Sequence, residues 1–152
     1  MSAAPAPLAY EDFAVGEIVE YGDVEVSAEE IVAFAAEFDP QPFHVDAEAA
    51  QVATGGLIAS GWHTCALLLR MNCDAFLTRA TVLEEQGVEE TRWARPVRPG
   101  DRLRVRRHTL EAAADDQDPR AGEVAFLYEV VNQNREVAMT QRARLRIARR
   151  GA

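Results

Sequence analysis

The segment from Gly61 to about Leu77 is apolar on almost every side, and it constrains the fold more than any other part of the sequence. Its main polar exceptions are Arg70 and Asp74, which are four residues apart and therefore lie on one stripe of a helix. A helix with so little polar surface is normally buried inside a domain. The sequence therefore predicts a long helix that the rest of the chain encloses.

Most of the remaining sequence predicts strands. GEIVEYGDVEV, at 16–26, alternates apolar and polar residues, and four further strand-like stretches follow the apolar helix. These four are VEETRWARPV, RLRVRRHTL, EVAFLYEVV and EVAMTQRARLRIA. Helices first and then strands joined by turns predict an α+β domain with an antiparallel meander. With one buried helix and five or more strands, the sheet is expected to wrap around the helix.

Two shorter helices are predicted before the apolar one. Ser27 and Glu30 form a capping box, and the apolar residues after them follow the helical repeat as far as Phe38. Asp46 is predicted to cap a short helix at 47–53.

The 152 residues are enough for one domain, which we place at residues 10–150, after a loose tail at residues 1–9. The first residues lack the basic region and apolar core of a secretory signal, and no apolar run approaches the roughly 18 residues of a membrane span. Cys65 and Cys73 would lie about 12 Å apart along a helix, which is too far for a disulfide. These features predict a reduced, cytoplasmic protein.

Charge is divided unevenly along the chain, whose formal net charge is −9. Residues 1–91 contain 2 arginines and 17 acidic residues, whereas residues 92–152 contain 14 arginines and 8 acidic residues. The negative total argues against nucleic acid or an anionic membrane as the main partner. The chain has no lysine, which excludes Schiff-base catalysis by lysine and a phosphate-binding loop of the lysine type.

The stretch EFDPQPFHVD, at 37–46, places an acid and an imidazole, Asp39 and His44, five residues apart. Two prolines between them restrict the backbone, so this segment is expected to be a stiff, irregular connection that no helix runs through. A carboxylate beside a histidine can act as an acid–base pair near neutral pH. Taken alone, such a pair is more often structural than functional.

A glycine-bearing loop, TGGLIASG at 54–61, precedes the apolar helix. Gly56 and Gly61 have the spacing of a phosphate-binding loop, but Trp62 replaces the required lysine. Ser60 is not flanked as in a nucleophile elbow, although it is suited to cap the helix. Two alternatives stay open, a simple connector and a helix N-terminus whose free N–H groups face an anion or oxyanion. Three scattered histidines and two helical cysteines predict no metal site.

Four stretches, in the same order, resemble the MaoC-like dehydratases, a family that includes the R-specific enoyl-CoA hydratases. The similarity extends from about residue 10 to residue 148. YEDFAVGE resembles the usual opening of the family, GGLIASGWHT its glycine-rich loop, and RPVRPGD its strand and turn. The residues of EFDPQPFHVD that fall on the family signature are Asp39, Pro42, His44 and Asp46.

This resemblance implies the hotdog fold, in which an antiparallel β-sheet wraps around a long central α-helix, and a homodimer or higher homo-oligomer. It also implies a hydratase or dehydratase that adds or removes water across a 2-enoyl thioester of coenzyme A, with no cofactor beyond that thioester. By position, Asp39 and His44 would hold and activate the water. The backbone N–H of Gly61 would donate to the thioester carbonyl.

The chain also departs from the family pattern. Gln41 replaces the usual asparagine, Phe43 replaces a smaller aliphatic residue, and Trp62 adds a bulky side chain beside Gly61. With Ser60, these residues are predicted to bind substrate, in an acyl site of unusual shape.

Two other functions are weighed against this one. A hotdog thioesterase would use a carboxylate to direct water at the carbonyl, but the spacing of Asp39 and His44 argues against it. A non-catalytic subunit that binds acyl thioesters or serves as a scaffold would need neither residue.

Overall fold

The computed structural model describes residues 3–152 and has one antiparallel sheet of five strands. In spatial order the strands run β1-β3-β4-β5-β2, so β1 and β2 form the two edges. The strands are β1 (Ile18–Glu25), β2 (Val82–Trp93), β3 (Arg102–Ala114), β4 (Ala121–Val131) and β5 (Val137–Ala148).

Four α-helices precede β2. The helices are α1 (Ala28–Phe38), α2 (Pro42–Val45), α3 (Ala47–Thr54) and α4 (Gly61–Asn72). A π-helical turn, Cys73–Leu77, continues α4, and a short 3₁₀ helix, Tyr10–Asp12, precedes β1. Within residues 3–152, no helix is long and apolar enough to cross a membrane.

The predicted architecture, a sheet wrapped around a central helix, is confirmed. Leu68 and Met71 of α4 and Phe76 of the π-helical turn are buried in one cluster with apolar residues from the strands. Phe126 is fully buried in this cluster, in edge contact with Phe76. The hydrophobic effect of closing the sheet over the helix is therefore the main force that assembles the domain.

Not every side chain of the central helix is buried by this chain. Trp62 and Leu69 are 62% and 51% exposed, and Arg70 pairs with Asp74 in solvent. Trp62 and Leu69 line a cavity between α4 and strands β2 and β5, which the side chains of this chain leave unfilled.

The proline-bearing segment also differs from expectation, because Pro42–Val45 forms a short helix. Pro42 occupies the first turn, where a helix tolerates proline because the missing N–H would have no partner there. His44 is consequently held by a regular element and not by an irregular loop.

The segment predicted to be a loose tail is attached at its end. Leu8 donates its backbone N–H to Arg79 O at 2.8 Å, and Ala9 is buried. The first two residues of that tail lie outside the described residues.

The arginines of the C-terminal strands pair with carboxylates on neighbouring strands and turns. Arg102 of β3 contacts Asp23 of β1 at 2.9 Å, and Arg146 of β5 contacts Asp115 at 2.8 Å. A third arginine, Arg144, lies among three carboxylates, those of Glu89, Glu111 and Glu123. The uneven charge of the sequence is thus largely paired within the sheet, although each exposed pair adds little stability.

We expect Asp46→Ala to lower the free energy of unfolding by about 1 kcal/mol, because Asp46 caps α3 by accepting the N–H groups of Glu48 and Ala49. Urea unfolding measures the change. Asp46→Asn, which keeps a capping oxygen, is the matched control and should unfold close to the wild type. Equal losses in both variants would show that the cap is not what Asp46 contributes.

Candidate active site

Asp39 stands where α1 ends. Its backbone N–H donates to Ala35 O at 2.8 Å, and its own φ of −152° has already left the helical region. Pro40 follows, and the residue before a proline is pushed out of the α conformation. The sequence therefore terminates α1 at this residue and directs the carboxylate away from the helix.

His44 brings its imidazole to that carboxylate. The residue is buried, and its Nε2 lies 3.3 Å from Asp39 Oδ2. Its Nδ1 lies 2.7 Å from the backbone oxygen of Ile58. Because a carbonyl oxygen can only accept, Nδ1 carries a proton and donates it to Ile58. In the neutral ring, Nε2 is then the atom that can take a proton from a bound molecule.

Two donors hold Asp39 in its ionised form. The Ser60 hydroxyl donates to Oδ2 and the Gln41 amide donates to Oδ1, each at 2.7 Å. These hydrogen bonds, the one from Ser60 first, outweigh the effect of burial and lower the pKa of Asp39 below its ordinary value. Asp39 is therefore a carboxylate at neutral pH.

Ser60 connects this carboxylate to the start of α4. Its side chain is fully buried, and its oxygen accepts the backbone N–H of Trp62 at 3.3 Å while its hydrogen goes to Asp39. A hydroxyl can accept and donate at the same time, so capping the helix leaves its hydrogen free. The predicted cap is confirmed, and the contact with Asp39 is an addition that the sequence did not reveal.

The backbone N–H of Gly61 has no hydrogen-bond acceptor within residues 3–152. It belongs to the first residue of a twelve-residue helix, where N–H groups have no intrahelical partner. The positive end of the helix dipole lies at the same point. The arrangement can therefore donate a hydrogen bond to a carbonyl or oxyanion.

Asp39, His44 and Gly61 all line one cavity of about 400 Å³. The predicted substrate-binding residues divide into two groups. Gln41 and Trp62 line this cavity.

Phe43 and Ser60 do not line it. Phe43 packs edge-on against the ring of His44, with centroids 4.5 Å apart, and Ser60 lies beneath the cavity with no exposed surface. Phe43 therefore packs against His44, and Ser60 bonds to Asp39, without facing the cavity in this structure.

A second cavity of about 700 Å³ adjoins the first between α4 and the β5–β2 edge of the sheet. Trp62 and Trp93 line both cavities and are in edge contact, with centroids 5.3 Å apart. Much of the second cavity is apolar, with Leu69, Tyr128 and Leu145 among its lining residues.

A second histidine, His63 of α4, is not part of this pair. It stacks on Phe34 at 4.7 Å, its Nδ1 is buried without a partner, and burial lowers its pKa. In the part of the chain that the structure describes, no group of three or more His, Cys, Asp or Glu side chains is placed to hold a metal ion.

Sequence reasoning missed Trp93 entirely. Its indole N–H donates to Gly61 O at 2.9 Å, although the two residues are 32 positions apart. The sequence predicted only that Trp93 lies within the strand VEETRWARPV, and that gives no sign of its contact with α4.

Comparison with known proteins places these features in context. The family model "MaoC like domain" matches residues 12–133. A MaoC-like dehydratase from Rhodospirillum rubrum is 37% identical, with a TM-score of 0.85 over 95% of this chain and 99% of that one. R-hydratase PhaJ1 from Pseudomonas aeruginosa is 26% identical, with a TM-score of 0.75 over 94% of this chain and 86% of the other.

A curated relative from Bacillus subtilis, named Uncharacterized protein YdeM, is 30% identical over 118 residues. The match covers 77% of this chain and 80% of the relative. The similarity thus extends over nearly the whole domain and is not confined to the site.

We expect Ser60→Ala to raise the pKa of Asp39, because the ionised carboxylate loses its strongest hydrogen-bond donor. Titration of the ¹³C carboxyl signal of Asp39 by NMR measures the shift. Ser27→Ala is the matched control, because Ser27 caps α1 in the same way without touching Asp39. A pKa of Asp39 that moves equally in both variants, or in neither, would contradict this role of Ser60.

Proposed function

The chain belongs to the MaoC-like domain family, whose members include dehydratases and hydratases, and we propose that it is a hydro-lyase acting on a 2-enoyl thioester. The observation that supports this most directly is the shared cavity. One side presents Asp39 and His44 Nε2, 3.3 Å apart, and another presents the free N–H of Gly61. Addition of water to an enoyl thioester requires these two functions at once.

In the proposed hydration, the pair binds one water molecule and His44 Nε2 accepts its proton. The hydroxide equivalent adds to Cβ, and the electron pair of the double bond moves toward the thioester oxygen to form an enolate. A proton then returns from the pair to Cα, which completes the addition of water. Dehydration is the same path reversed.

Asp39 and Gly61 have separate electrostatic roles in this scheme. The carboxylate of Asp39 stabilises the imidazolium that forms when His44 takes the proton. The N–H of Gly61 stabilises the oxygen on which negative charge develops, and a preorganised donor of this kind is effective because it need not reorient. The scheme uses only these groups, so we propose no cofactor beyond the coenzyme A of the substrate.

Coenzyme A carries phosphates, and arginine side chains, of which the C-terminal half has 14, are well suited to bind them. Most of the arginines on the sheet are already paired with carboxylates, as described above. Arg95 also has a carboxylate partner, Glu136, but it lines the site cavity and its side chain is 56% exposed. We propose Arg95 as the first arginine to test for contact with the carrier.

We also propose a homodimer. The outer edge of β2 pairs with no other strand among residues 3–152, and exposed edges of this kind readily pair with a second chain. Exposed apolar side chains on the same side of the domain include Trp62, Leu69 and Val88.

Both cysteines are free, and the cytoplasmic location expected from them stays a prediction. Because the net charge is −9, we propose neither nucleic acid nor an anionic membrane as a partner.

Light scattering at micromolar concentration should give the mass of a dimer, and Val88→Asp should shift it toward the monomer. Val52→Asp is the matched control, because Val52 is 91% exposed on α3, away from the β2 edge. A monomeric wild type, or equal dissociation in both variants, would contradict a dimer formed through this edge.

We expect Asp39→Asn and His44→Gln each to lower the hydration rate by roughly 10²–10⁴-fold, the usual contribution of a positioned acid or base. The decrease in enoyl absorbance of crotonyl-CoA measures the rate. The matched controls Asp46→Asn and His108→Gln change the same residue types outside the cavity and should keep wild-type turnover.

The same assay separates the alternative functions. A thioesterase would release free thiol from crotonyl-CoA, and a scaffold subunit would bind it without turnover. Wild-type rates in correctly folded Asp39→Asn and His44→Gln would remove the pair from the mechanism.

A further inference from the structure

We infer that Trp93 is a positioning residue that sets the direction of the Gly61 N–H, an inference that rests on the function proposed above. Trp93 is the last residue of β2 and comes from the far edge of the sheet. It reaches the first turn of α4 in two ways, through a hydrogen bond and through packing.

The hydrogen bond acts on the peptide group between Gly61 and Trp62. Trp93 Nε1 donates to its oxygen at 2.9 Å, and Ser60 Oγ accepts from its nitrogen at 3.3 Å. The peptide plane is therefore held at both ends. The N–H of Gly61 belongs to the preceding peptide group, which is joined to this one through the Cα of Gly61. Glycine has the widest backbone freedom of any residue, so the direction of that N–H depends on this restraint together with the packing of the indole against Gly61.

The packing explains why residue 61 is a glycine. A Cβ atom added there would lie 2.6 Å from two atoms of the Trp93 indole, far inside normal contact distance. The backbone of Gly61 gives no other reason, because its φ is not positive. The absence of a side chain at Gly61 is thus what allows the indole to lie directly against the backbone.

The indole is itself well supported. The backbone of Trp93 is paired with that of Met139 in β5. The next residue, Ala94, donates its N–H to Ala138 O at 2.9 Å. Trp62 is in edge contact with the indole, at an interplanar angle of 74°. Trp93 therefore connects the paired strands β5 and β2 to the first residue of α4.

Because Trp93 acts through Gly61, its loss should affect the chemical step more than binding. We expect Trp93→Phe, which keeps an aromatic ring but loses the donor, to lower kcat on crotonyl-CoA by roughly 5–10-fold. KM should change less than about threefold, since phenylalanine keeps an aromatic ring where Trp93 lines the two cavities. A change confined to KM would instead make Trp93 a part of the binding surface and overturn the inference.

A double-mutant cycle tests the packing. Gly61→Ala alone should lower kcat, because the new methyl group displaces the indole. In Gly61→Ala/Trp93→Val the methyl group has room, so kcat should match that of Trp93→Val within about twofold. If the two losses multiply, residue 61 acts on the substrate independently of Trp93 and the inference fails.

Another glycine supplies the matched control for Gly61→Ala. A Cβ at Gly122 would lie 2.2 Å from Tyr10, so Gly122→Ala also pushes an aromatic ring off a backbone, but far from the cavity. It should lower stability and leave the kcat of the folded protein unchanged. A similar fall in kcat would show that Gly61→Ala acts through general destabilisation, which contradicts the specific role of Trp93.

A readout without turnover keeps this inference separate from the proposed function. The ¹⁵N–¹H signal of Gly61 should shift in Trp93→Phe but not in Gly122→Ala. If the wild type does not hydrate crotonyl-CoA while this NMR result holds, the proposed function fails and the positioning role stands. An unmoved Gly61 signal in Trp93→Phe overturns the positioning role whatever the activity.

Discussion

The hydrogen bond between the Ser60 hydroxyl and Asp39 joins the two halves of the site. One oxygen atom caps the central helix, and the hydrogen on that atom goes to the carboxylate that faces His44. The acid–base pair and the free N–H of the helix therefore share one reference point, although they come from segments 21 residues apart. The sheet holds this point in place by burying the helix that begins there.

The elements of the fold and of the site could be predicted from the sequence where they depend on local interactions. The apolar helix, the caps at Ser27 and Asp46 and the five strands follow from patterns a few residues long. The spacing of Asp39 and His44 belongs to the same class, because one proline-bearing segment holds both residues.

Features that depend on distant pairing could not be predicted. Trp93 meets Gly61 only because β2 pairs with β5 at the edge of the sheet, and nothing near either residue indicates that register. The helix Pro42–Val45 was missed for another reason. Proline opposes a helix in its interior but not in its first turn, and the sequence alone does not show which of these positions Pro42 takes.

Because acidic strands pair with basic strands that are synthesised later, the chain passes through an unpaired, acidic stage during synthesis. Among residues 3–152, β1 pairs only with β3 and β2 only with β5, so neither edge strand has a strand neighbour until the arginine-rich half leaves the ribosome. Until then the emerging chain carries 17 acidic residues against 2 arginines. Mutual repulsion keeps such nascent chains apart while their strands are still unpaired, which is when aggregation is the greatest hazard.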